Sequence, residues 1–375
     1  PQRDYRILEE QLGEDYLVES LDLSSGDVPD RVDVLVVGKV GSLSDHERFA
    51  LDQYLMRGGA VVALAGSWQV DLSQRTLAVV PLDGALAELV EEWGVTVRGG
   101  MVLDPENAPF PVPVQEQRGP FMVERIELIP YPFFPDIRRD GTHESHPAVT
   151  GLPNVTVPWA SALELAELPE GVQSEVLLAT SPDSWIDTSG NIEPDFTTWP
   201  DNGFGASAET ERGSHAVAVV LTGTLPSAFA DEASPTWNPQ VDGSGDAQAD
   251  LTGRTLTQAV PEARLAVVGS AEVTSDLVMS LAGQVSGEVH RSNLQLLQNL
   301  VDWSMEDTDL LEIRSAGEGV RTLDPLTDEE RNSWEIATYV AVLLLLGLVV
   351  MLGRRPGPGA IAGSPETRDV AGSAA

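Results

Sequence analysis

Ser67 is the residue best placed for covalent chemistry, because it follows a predicted buried strand at 60–65. A serine nucleophile needs a tight turn, with a histidine and a carboxylate nearby. The sequence around it, Ala-Gly-Ser-Trp-Gln, lacks the second glycine of Gly-x-Ser-x-Gly, a motif that occurs nowhere in the chain. The chain has five histidines and no cysteine. We therefore expect no enzymatic activity, with a degenerate hydrolase around Ser67 as the alternative.

Two other groups of residues contain possible metal ligands. His143 and His146 are three residues apart, whereas zinc proteases space their histidines four apart on a helix, which Pro147 disfavours here. An acidic segment at 183–195 offers oxygen ligands but does not match the twelve-residue calcium loop. The chain also contains no Walker motif for ATP phosphates, so it cannot itself power transport. We expect no metal and no cofactor.

Small and polar residues follow several predicted strands. They are found at 38–39, 66–68, 104–107, 180–181 and 269–270. A doubly wound sheet binds ligands beyond the carboxyl ends of its strands, so these stretches are candidates for a binding cleft. Ordinary turns between strand and loop are the alternative for each of them.

The elements that position these residues follow a strand–helix–strand pattern. An apolar run at 32–37 predicts a buried strand, and Ser44 with Glu47 predicts a capping box that starts a helix. That helix ends at Gly58-Gly59, and residues 60–65 form the next strand. A right-handed parallel crossover follows from this order. The expected fold is α/β, with a mostly parallel sheet flanked by helices.

The remaining pattern predicts further elements and two long loops. Helices are expected at 83–93 and 292–304, and strands at 95–103, 175–179, 216–221, 264–268 and 311–313. Four prolines between residues 105 and 113 remove the periodicity of that segment. Loop insertions are expected at 181–213 and 222–252, and loops of this length are usually functional or disordered.

An apolar run at 336–352 predicts one transmembrane helix at 334–353. Trp334 stands at one end and an arginine pair at the other, which favours a cytoplasmic C-terminus. The expected organisation is an extracytoplasmic α/β region at 1–310, a juxtamembrane linker at 311–333 and a disordered cytoplasmic tail at 354–375. The core strands and helices of the extracytoplasmic region would lie at about 16–180 and 215–305. This places the protein in the cytoplasmic membrane, with its main domain outside.

Charge limits the partners that this chain can bind. The formal net charge is −37, with a single lysine, Lys39, among the 22 basic residues. Nucleic-acid phosphates would be repelled, so we expect no nucleic-acid partner. A solvated surface suited to high salt, divalent-cation binding and a basic partner could each explain the charge. Because the acids are spread along the chain, the solvated surface explains them best.

Several runs of residues together resemble one family. The most specific is Leu-Asp-Gln-Tyr-Leu-Met-Arg-Gly-Gly at 51–59, followed by Asn-Ala-Pro-Phe-Pro-Val-Pro at 107–113. Shorter matches are His146-Pro147 with Gly151-Leu152, Pro-Trp-Ala-Ser at 158–161, Ala-Thr-Ser at 179–181 with Ser184-Trp185, and Leu-Ala-Val-Val-Gly-Ser at 265–270. These runs resemble the auxiliary component of uncharacterised ABC transporters related to gliding motility, the Gld-type proteins. The resemblance covers about residues 30–305, and the family is expected to carry the final membrane helix too.

The resemblance implies a glutamine-amidotransferase-like fold without a catalytic triad, and partners that are an ABC permease and an ATPase. One departure is Gly-Ser-Ala-Glu at 269–272, where the family tends to have Gly-Asp-Ser-Asp. The expected function is that of a non-enzymatic, membrane-anchored accessory subunit that binds a partner or ligand outside the membrane. The rigid proline-rich segment could dock a partner at little ordering cost. The expected binding residues are Ser67, Asp104, Asn107, Pro109, Pro111, Pro113, Thr180, Ser181, Ser184 and Trp185.

The tryptophans of the two long loops suggest a second possible function. Trp185, Trp199 and Trp237 could stack on sugars, as in an envelope carbohydrate-binding module. That alternative requires all three rings to lie exposed on one surface.

Overall fold

The computed structural model of this protein describes most of the first 305 residues. The described residues are 4–71, 78–118, 121–200, 203–232, 234–235, 255–285 and 291–305, with four isolated positions at 339, 342, 344 and 345. The chain divides into two compact units, Pro1–Val320 and Arg321–Ala375, and the architecture below belongs to the first.

A seven-stranded sheet forms the centre of the first unit. Its strands are β1 (Val34–Gly38), β2 (Ala60–Leu64), β5 (Val95–Val97), β10 (Leu163–Leu165), β11 (Val172–Ala179), β13 (Ala216–Gly223) and β14 (Arg264–Val268). The order is β1-β2-β14-β13-β10-β5, with β11 also paired to β13. Residues of β2 alternate between two apolar clusters, with Val62 on one face and Val61 on the other. The sheet is therefore buried on both faces.

The expected α/β class is confirmed, but the sheet is mixed rather than mostly parallel. Only β1 with β2 and β2 with β14 pair in parallel. The pairings of β13 with β14, β11 and β10, and of β10 with β5, are antiparallel. The parallel prediction extended the local β1–β2 crossover to the whole chain, whereas the later strands pair antiparallel, an arrangement that needs no crossover helix.

Five helices and one short 3-10 helix are described. They are α1 (Arg6–Leu12), α2 (Asp45–Met56), α3 (Ala85–Glu92), α4 (Asp276–Val285) and α5 (Arg291–Ser304), with the 3-10 helix at Arg139–Gly141. Helices α2 and α3 pack on one face of the sheet, and α1 and α5 pack on the other. Helices α1 and α4 were not expected from the pattern of apolar residues.

The crossover from β1 through α2 to β2 forms as the sequence predicts. Ser44 Oγ accepts the Glu47 N–H, and a Glu47 carboxylate oxygen accepts the Ser44 N–H at 2.8 Å. This reciprocal capping satisfies two N–H groups at the start of α2. At the other end Gly58 adopts φ +97°, a left-handed conformation that suits glycine.

The smaller sheets surround the central one. Strands β3 (Trp68–Asp71) and β4 (Ala78–Pro81) form one pair, and β6 (Met101–Leu103) pairs with β12 (Trp185–Asp187). The predicted strand at 95–103 is thus two strands, β5 and β6, separated by a bend in which Gly100 has φ +103°. The predicted loop at 181–213 contains β12.

A long antiparallel hairpin occupies the proline-rich region. It consists of β7 (Asn107–Arg118) and β8 (Phe121–Ile137), and the end of β8 also pairs with β9 (Val155–Thr156). The prolines of 109–113 remove the sequence periodicity of this segment, and the structure accommodates them in β7. Proline is tolerated in a strand where its nitrogen faces away from the paired neighbour.

The expected transmembrane helix at 334–353 lies outside the described residues, except for the four isolated positions. The same holds for the predicted strand at 311–313, the linker and the tail. Within the part of the chain that is described, no helix has the length and apolar character needed to span a bilayer.

Candidate functional site

The three parallel strands bring Lys39 and Glu272 together at their carboxyl edge. Lys39 follows β1, and Glu272 lies four residues after β14. Their charged groups form an ion pair with Nζ to Oε1 at 2.9 Å, and the two side chains are 11% and 0% exposed. Lys39 has φ +47°, a left-handed conformation that is uncommon for a residue with a side chain. The lysine is therefore held over the edge of the sheet.

Glu272 also organises its surroundings. Its Oε1 accepts the Val70 N–H at 2.9 Å, while Oε2 has no hydrogen-bond partner among the described residues. The nearby Tyr5 hydroxyl donates to the Ala271 carbonyl at 2.6 Å. Burial raises the pKa of Tyr5 well above its ordinary value, and the negative charge of Glu272 adds to that shift. Tyr5 is therefore a neutral donor at this edge.

Ser67 lies at the same edge but does not have a nucleophile's surroundings. Its N–H donates to Ser161 Oγ at 3.1 Å, and its hydroxyl lies 3.4 Å from the Arg98 carbonyl oxygen. Within the described residues no histidine hydrogen-bonds to it. A small cavity beside Ser67 is lined by Lys39 and Asp83, among others. This cavity offers a cation, a hydroxyl and a carboxylate to a ligand rather than a serine–histidine pair.

Asp104 is the centre of a second polar group, beyond β6. The side chain is buried, and its oxygens accept the N–H and the hydroxyl of Ser181, each at 2.7 Å. It also accepts the Glu106 N–H at 2.9 Å. Partial burial, followed by the charge of Asp104, raises the pKa of Glu106. Asp104 thus ties the loop after β11 to the base of the hairpin.

Thr180 and Ser184 extend this network. Their hydroxyl oxygens are 2.7 Å apart, Ser184 donates to the Gly213 carbonyl at 2.6 Å, and the His215 N–H donates to Thr180 Oγ1 at 2.9 Å. Burial lowers the pKa of His215, so its imidazole favours the neutral form. The hydroxyls of both residues are occupied by contacts inside the protein.

Asn107 fixes the base of the hairpin. Its amide nitrogen donates to the carbonyls of Asp104 and Pro105 at 3.1 and 2.8 Å, and its Oδ1 accepts the Tyr131 N–H at 2.7 Å. Pro111 is buried and Pro109 is exposed. Along β7, therefore, Asn107 and Pro111 hold the strand in place and Pro109 remains accessible.

The predicted binding residues therefore fall into three places. Asp104, Thr180, Ser181 and Ser184 form the network described above, and Trp185 pairs with Leu103 on the adjoining strand. Asn107 and the three prolines lie on β7, and Ser67 lies at the end of β2. The sequence shows that Lys39 follows a strand and that Glu272 is an isolated acid, but not that they pair. Tyr5 lies in a region that the sequence pattern left unassigned.

The tryptophans of the alternative carbohydrate-binding function do not form an exposed platform. Trp185 is 6% exposed, and the Arg212 guanidinium lies 5.5 Å from its ring centre. Trp199 is half-buried, and Trp237 lies outside the described residues. Trp185 and Trp199 do line one cleft together with Asp187, Glu193 and other polar residues. Burial of Trp185 removes the three-ring surface that a carbohydrate-binding module would need.

The acidic side chains of this cleft are engaged by their own loop. Asp187 accepts from the N–H and hydroxyl of Ser189, and Asp195 accepts from the N–H groups of Thr197 and Thr198. Hydrogen bonds from the side chain and the N–H of Thr198, followed by that from the Thr197 N–H, lower the pKa of Asp195. No group of three or more metal-binding side chains is found in the described part of the chain.

Comparison with known proteins gives one family. No curated protein matches the chain. A solved structure described as "mmIFT52 N-terminal domain" is similar, with 14% identity and a TM-score of 0.42, and the match covers 80% of this chain and 90% of that one. A similarity this low supports no argument about function. The family model for an ABC-type uncharacterized transport system matches residues 1–300, and the chain therefore belongs to this family of ABC transport auxiliary proteins.

Proposed function

We propose that this protein is a non-enzymatic accessory subunit of its ABC transport system. It binds a partner or ligand on the outer side of the membrane and works with a separate permease and ATPase. Family membership over residues 1–300 is the observation that carries this proposal. It agrees with the absence of a Walker motif, because the energy for transport must then come from another chain.

The surroundings of the polar residues support a binding role rather than catalysis. A nucleophile and its base must be within hydrogen-bond reach of each other. Ser67 contacts Ser161 and Arg98, and Asp104 contacts Ser181. These contacts brace loops at the edge of the sheets, which is what a rigid recognition surface requires.

The β7–β8 hairpin is the proposed partner-binding element. Asp104 and Asn107 brace its base through hydrogen bonds, whereas Met122, Ile126 and Leu128 in its outer part are 62%, 49% and 48% exposed. A braced strand loses little conformational entropy on binding, so most of its contact energy contributes to affinity. The proline-rich strand β7 is paired alongside β8 and would hold this surface rigid.

The proposed location is the cytoplasmic membrane, with a single anchor at 334–353 and the main domain outside. The apolar run at 336–352 and its arginine pair support that orientation. The proposal also includes a relation to gliding-motility transporters and an amidotransferase-like fold. The sequence runs at 51–59 and 107–113 support this part of it.

Co-purification tests the partner. The protein would be extracted from its native membrane in mild detergent, and an ABC permease should accompany it. The informative variant replaces 113–126 with Asn-Gly, which joins the paired residues Val112 and Glu127 through a two-residue turn. We expect it to lose the permease while keeping the melting temperature. Recovery of the permease in the same yield would contradict the assignment of the hairpin.

Protease protection tests the location separately. Protease added to intact spheroplasts should digest the globular region and leave a short membrane-protected remnant. Disrupted spheroplasts serve as the control for protease access. Full resistance in intact spheroplasts, or recovery of the chain in the soluble lysate, would overturn the proposed orientation.

A further inference from the structure

The two edges of the β7–β8 hairpin differ in what they offer to another strand. Strand β7 carries prolines at 109, 111 and 113, which pair with Pro130, Leu128 and Ile126 of β8. Proline has no N–H to donate, so a proline-bearing edge resists the addition of a further strand. The edge of β8 between 121 and 129 contains no proline. One side of the hairpin is closed to strand addition and the other is open.

The register of the hairpin identifies which groups of β8 point outward. Prolines fit an antiparallel ladder at positions whose backbone groups face away from the neighbouring strand. Residues opposite such positions also direct their own N–H and C=O groups outward. Leu128 and Ile126 lie opposite Pro111 and Pro113. The outer edge of β8 therefore presents the backbone groups of Ile126, Leu128 and, by the two-residue period, Met122.

In the described part of the chain this edge is exposed and carries apolar side chains beside the charged Arg125 and Glu127. Met122, Val123, Ile126 and Leu128 are between 43% and 62% exposed, on both faces of the strand. Strand β9 pairs only with Asp136 and Ile137 of β8. No described strand other than β7 therefore pairs with residues 121–130. A long, exposed strand edge with apolar side chains is a site where another strand adds.

We propose that β8 pairs antiparallel with β8 of a second copy of this chain, around a two-fold axis at Ile126. In this register Ile126 faces Ile126 of the second copy, and both direct their backbone groups into the new ladder. Val123 faces Ile129 of the second copy, which places two apolar residues side by side. This pairing uses the backbone edge of β8 and leaves the faces of the hairpin, with the side chains of Met122, Ile126 and Leu128, accessible to the proposed transport partner. It is argued from the hairpin alone and does not depend on the proposed transport function.

Charge selects this register over its neighbours. With the axis at Ile126, Arg125 lies opposite Glu127 of the second copy, and symmetry repeats the pair. Both side chains are at least half exposed, and they already form an ion pair within the strand at 3.0 Å. A shift of the axis by one residue would place Arg125 opposite itself or Glu127 opposite itself. Like charges directly opposite one another destabilise a sheet, and opposite charges stabilise it.

The absence of cysteine makes the pairing directly testable by disulfide formation. In Ile126→Cys the introduced thiol is the only one in the chain, so any disulfide joins two copies. Paired residues of this kind lie about 5.5 Å apart between Cα atoms, within the range of a disulfide. Val123→Cys is the matched control, because it is similarly exposed but lies about 20 Å from its copy, at about 3.4 Å per residue.

Mild oxidation of the full-length chain in detergent would be followed on non-reducing gels. We expect Ile126→Cys to form the linked dimer at least about tenfold faster than Val123→Cys, since only the former is held in position. Equal rates would show random collision and overturn the proposal. Failure of both variants to cross-link would overturn it as well, and would leave the edge to a different partner or to lipid.

Charge reversal tests the register in the Ile126→Cys background. Arg125→Glu gives two acids at these positions, and Glu127→Arg gives two bases. Each variant alone should cross-link about tenfold more slowly, because opposite charges become like charges at both symmetric positions. An equimolar mixture should regain the original rate through dimers of the two variants. A mixture as slow as its components, with unchanged melting temperatures, would refute the register.

Discussion

The ion pair between Lys39 and Glu272 connects the ends of two strands that are far apart in sequence. Both side chains are removed from water, so each carries a desolvation cost that only its partner offsets. The left-handed backbone at Lys39 adds strain, which the surrounding contacts must hold. Such a pair specifies how the carboxyl edge of the sheet is arranged.

Removal of one partner should therefore cost more than removal of both. We expect Glu272→Gln and Lys39→Met each to lower the free energy of unfolding by about 3 kcal/mol, because each leaves a buried charge without its counter-ion. The double variant should lose less than the sum of the two. Urea unfolding of all four proteins gives the coupling energy, and strictly additive losses would contradict a coupled pair.

His146 makes stability sensitive to acid. It is 5% exposed, its Nδ1 accepts the Ala148 N–H at 3.2 Å, and Trp303 lies beside its ring. Burial lowers its pKa to about 4, a shift that Glu175 opposes and His143 reinforces. The unfolded chain binds a proton near pH 6.5, and the folded chain does so only near pH 4. The contribution of neutral His146 to stability is therefore fully present above about pH 6.5 and is lost as the pH falls towards 4.

A variant that cannot titrate isolates this effect. In His146→Asn the amide oxygen can still accept the Ala148 N–H, although loss of the ring lowers stability at every pH. Between pH 7 and 4.5 we expect the original protein to lose about 2 kcal/mol more than the variant. The measurement is urea unfolding across that range. Parallel pH profiles would show that His146 has the same pKa in the folded protein as in the unfolded chain.

At the scale of elements, Asn107 decides whether the hairpin has a fixed base. We expect Asn107→Ala to destabilise the base by about 1–3 kcal/mol, because it removes the hydrogen bonds to Asp104, Pro105 and Tyr131. Hydrogen exchange should then accelerate at Tyr131. Exchange at Val62, in the central sheet, serves as the internal control. Equal acceleration at both residues would mean that Asn107 supports the whole fold.

Local signals made some elements predictable, and pairings between distant strands made others unpredictable. The capping box at Ser44 and Glu47 fixes the start of α2 within four residues of sequence. The hairpin was missed because prolines suppress strand patterns, while their tolerance depends on which way each nitrogen faces. Helix α4 had a usable signal, since Ser275 Oγ accepts the Val278 N–H. The antiparallel return of β13 depends on contacts that no local pattern contains.

In the candidate site, too, local features could be predicted from the sequence and contacts between distant residues could not. Strand ends at Lys39, Ser67 and Thr180 could be located from apolar runs that stop at polar residues. The bond from Ser181 to Asp104 spans 77 residues and could not be read from spacing. Burial of Trp185 was equally inaccessible, because a tryptophan in a polar loop has the same sequence context whether it is packed or exposed.

For the whole molecule, the excess of acids determines how stability responds to salt. The chain has 59 acidic and 22 basic residues, and the resulting self-repulsion destabilises the compact state. Salt screens charges over about 10 Å at 0.1 M, so it relieves repulsion between exposed carboxylates more than it weakens the buried pair at Lys39. Added salt should therefore increase the stability of the folded state at neutral pH.

We expect the urea midpoint to rise when sodium chloride increases from about 0.02 to 0.5 M at pH 7.5, because screening becomes stronger over that range. The same titration at pH 4.5 is the control, since the sequence isoelectric point is about 4.2 and little net charge remains to be screened. A gain of equal size at both pH values would point to general strengthening of apolar burial by salt. A fall at pH 7.5 would mean that exposed ion pairs such as Arg98 with Glu164 outweigh the repulsion among the acids.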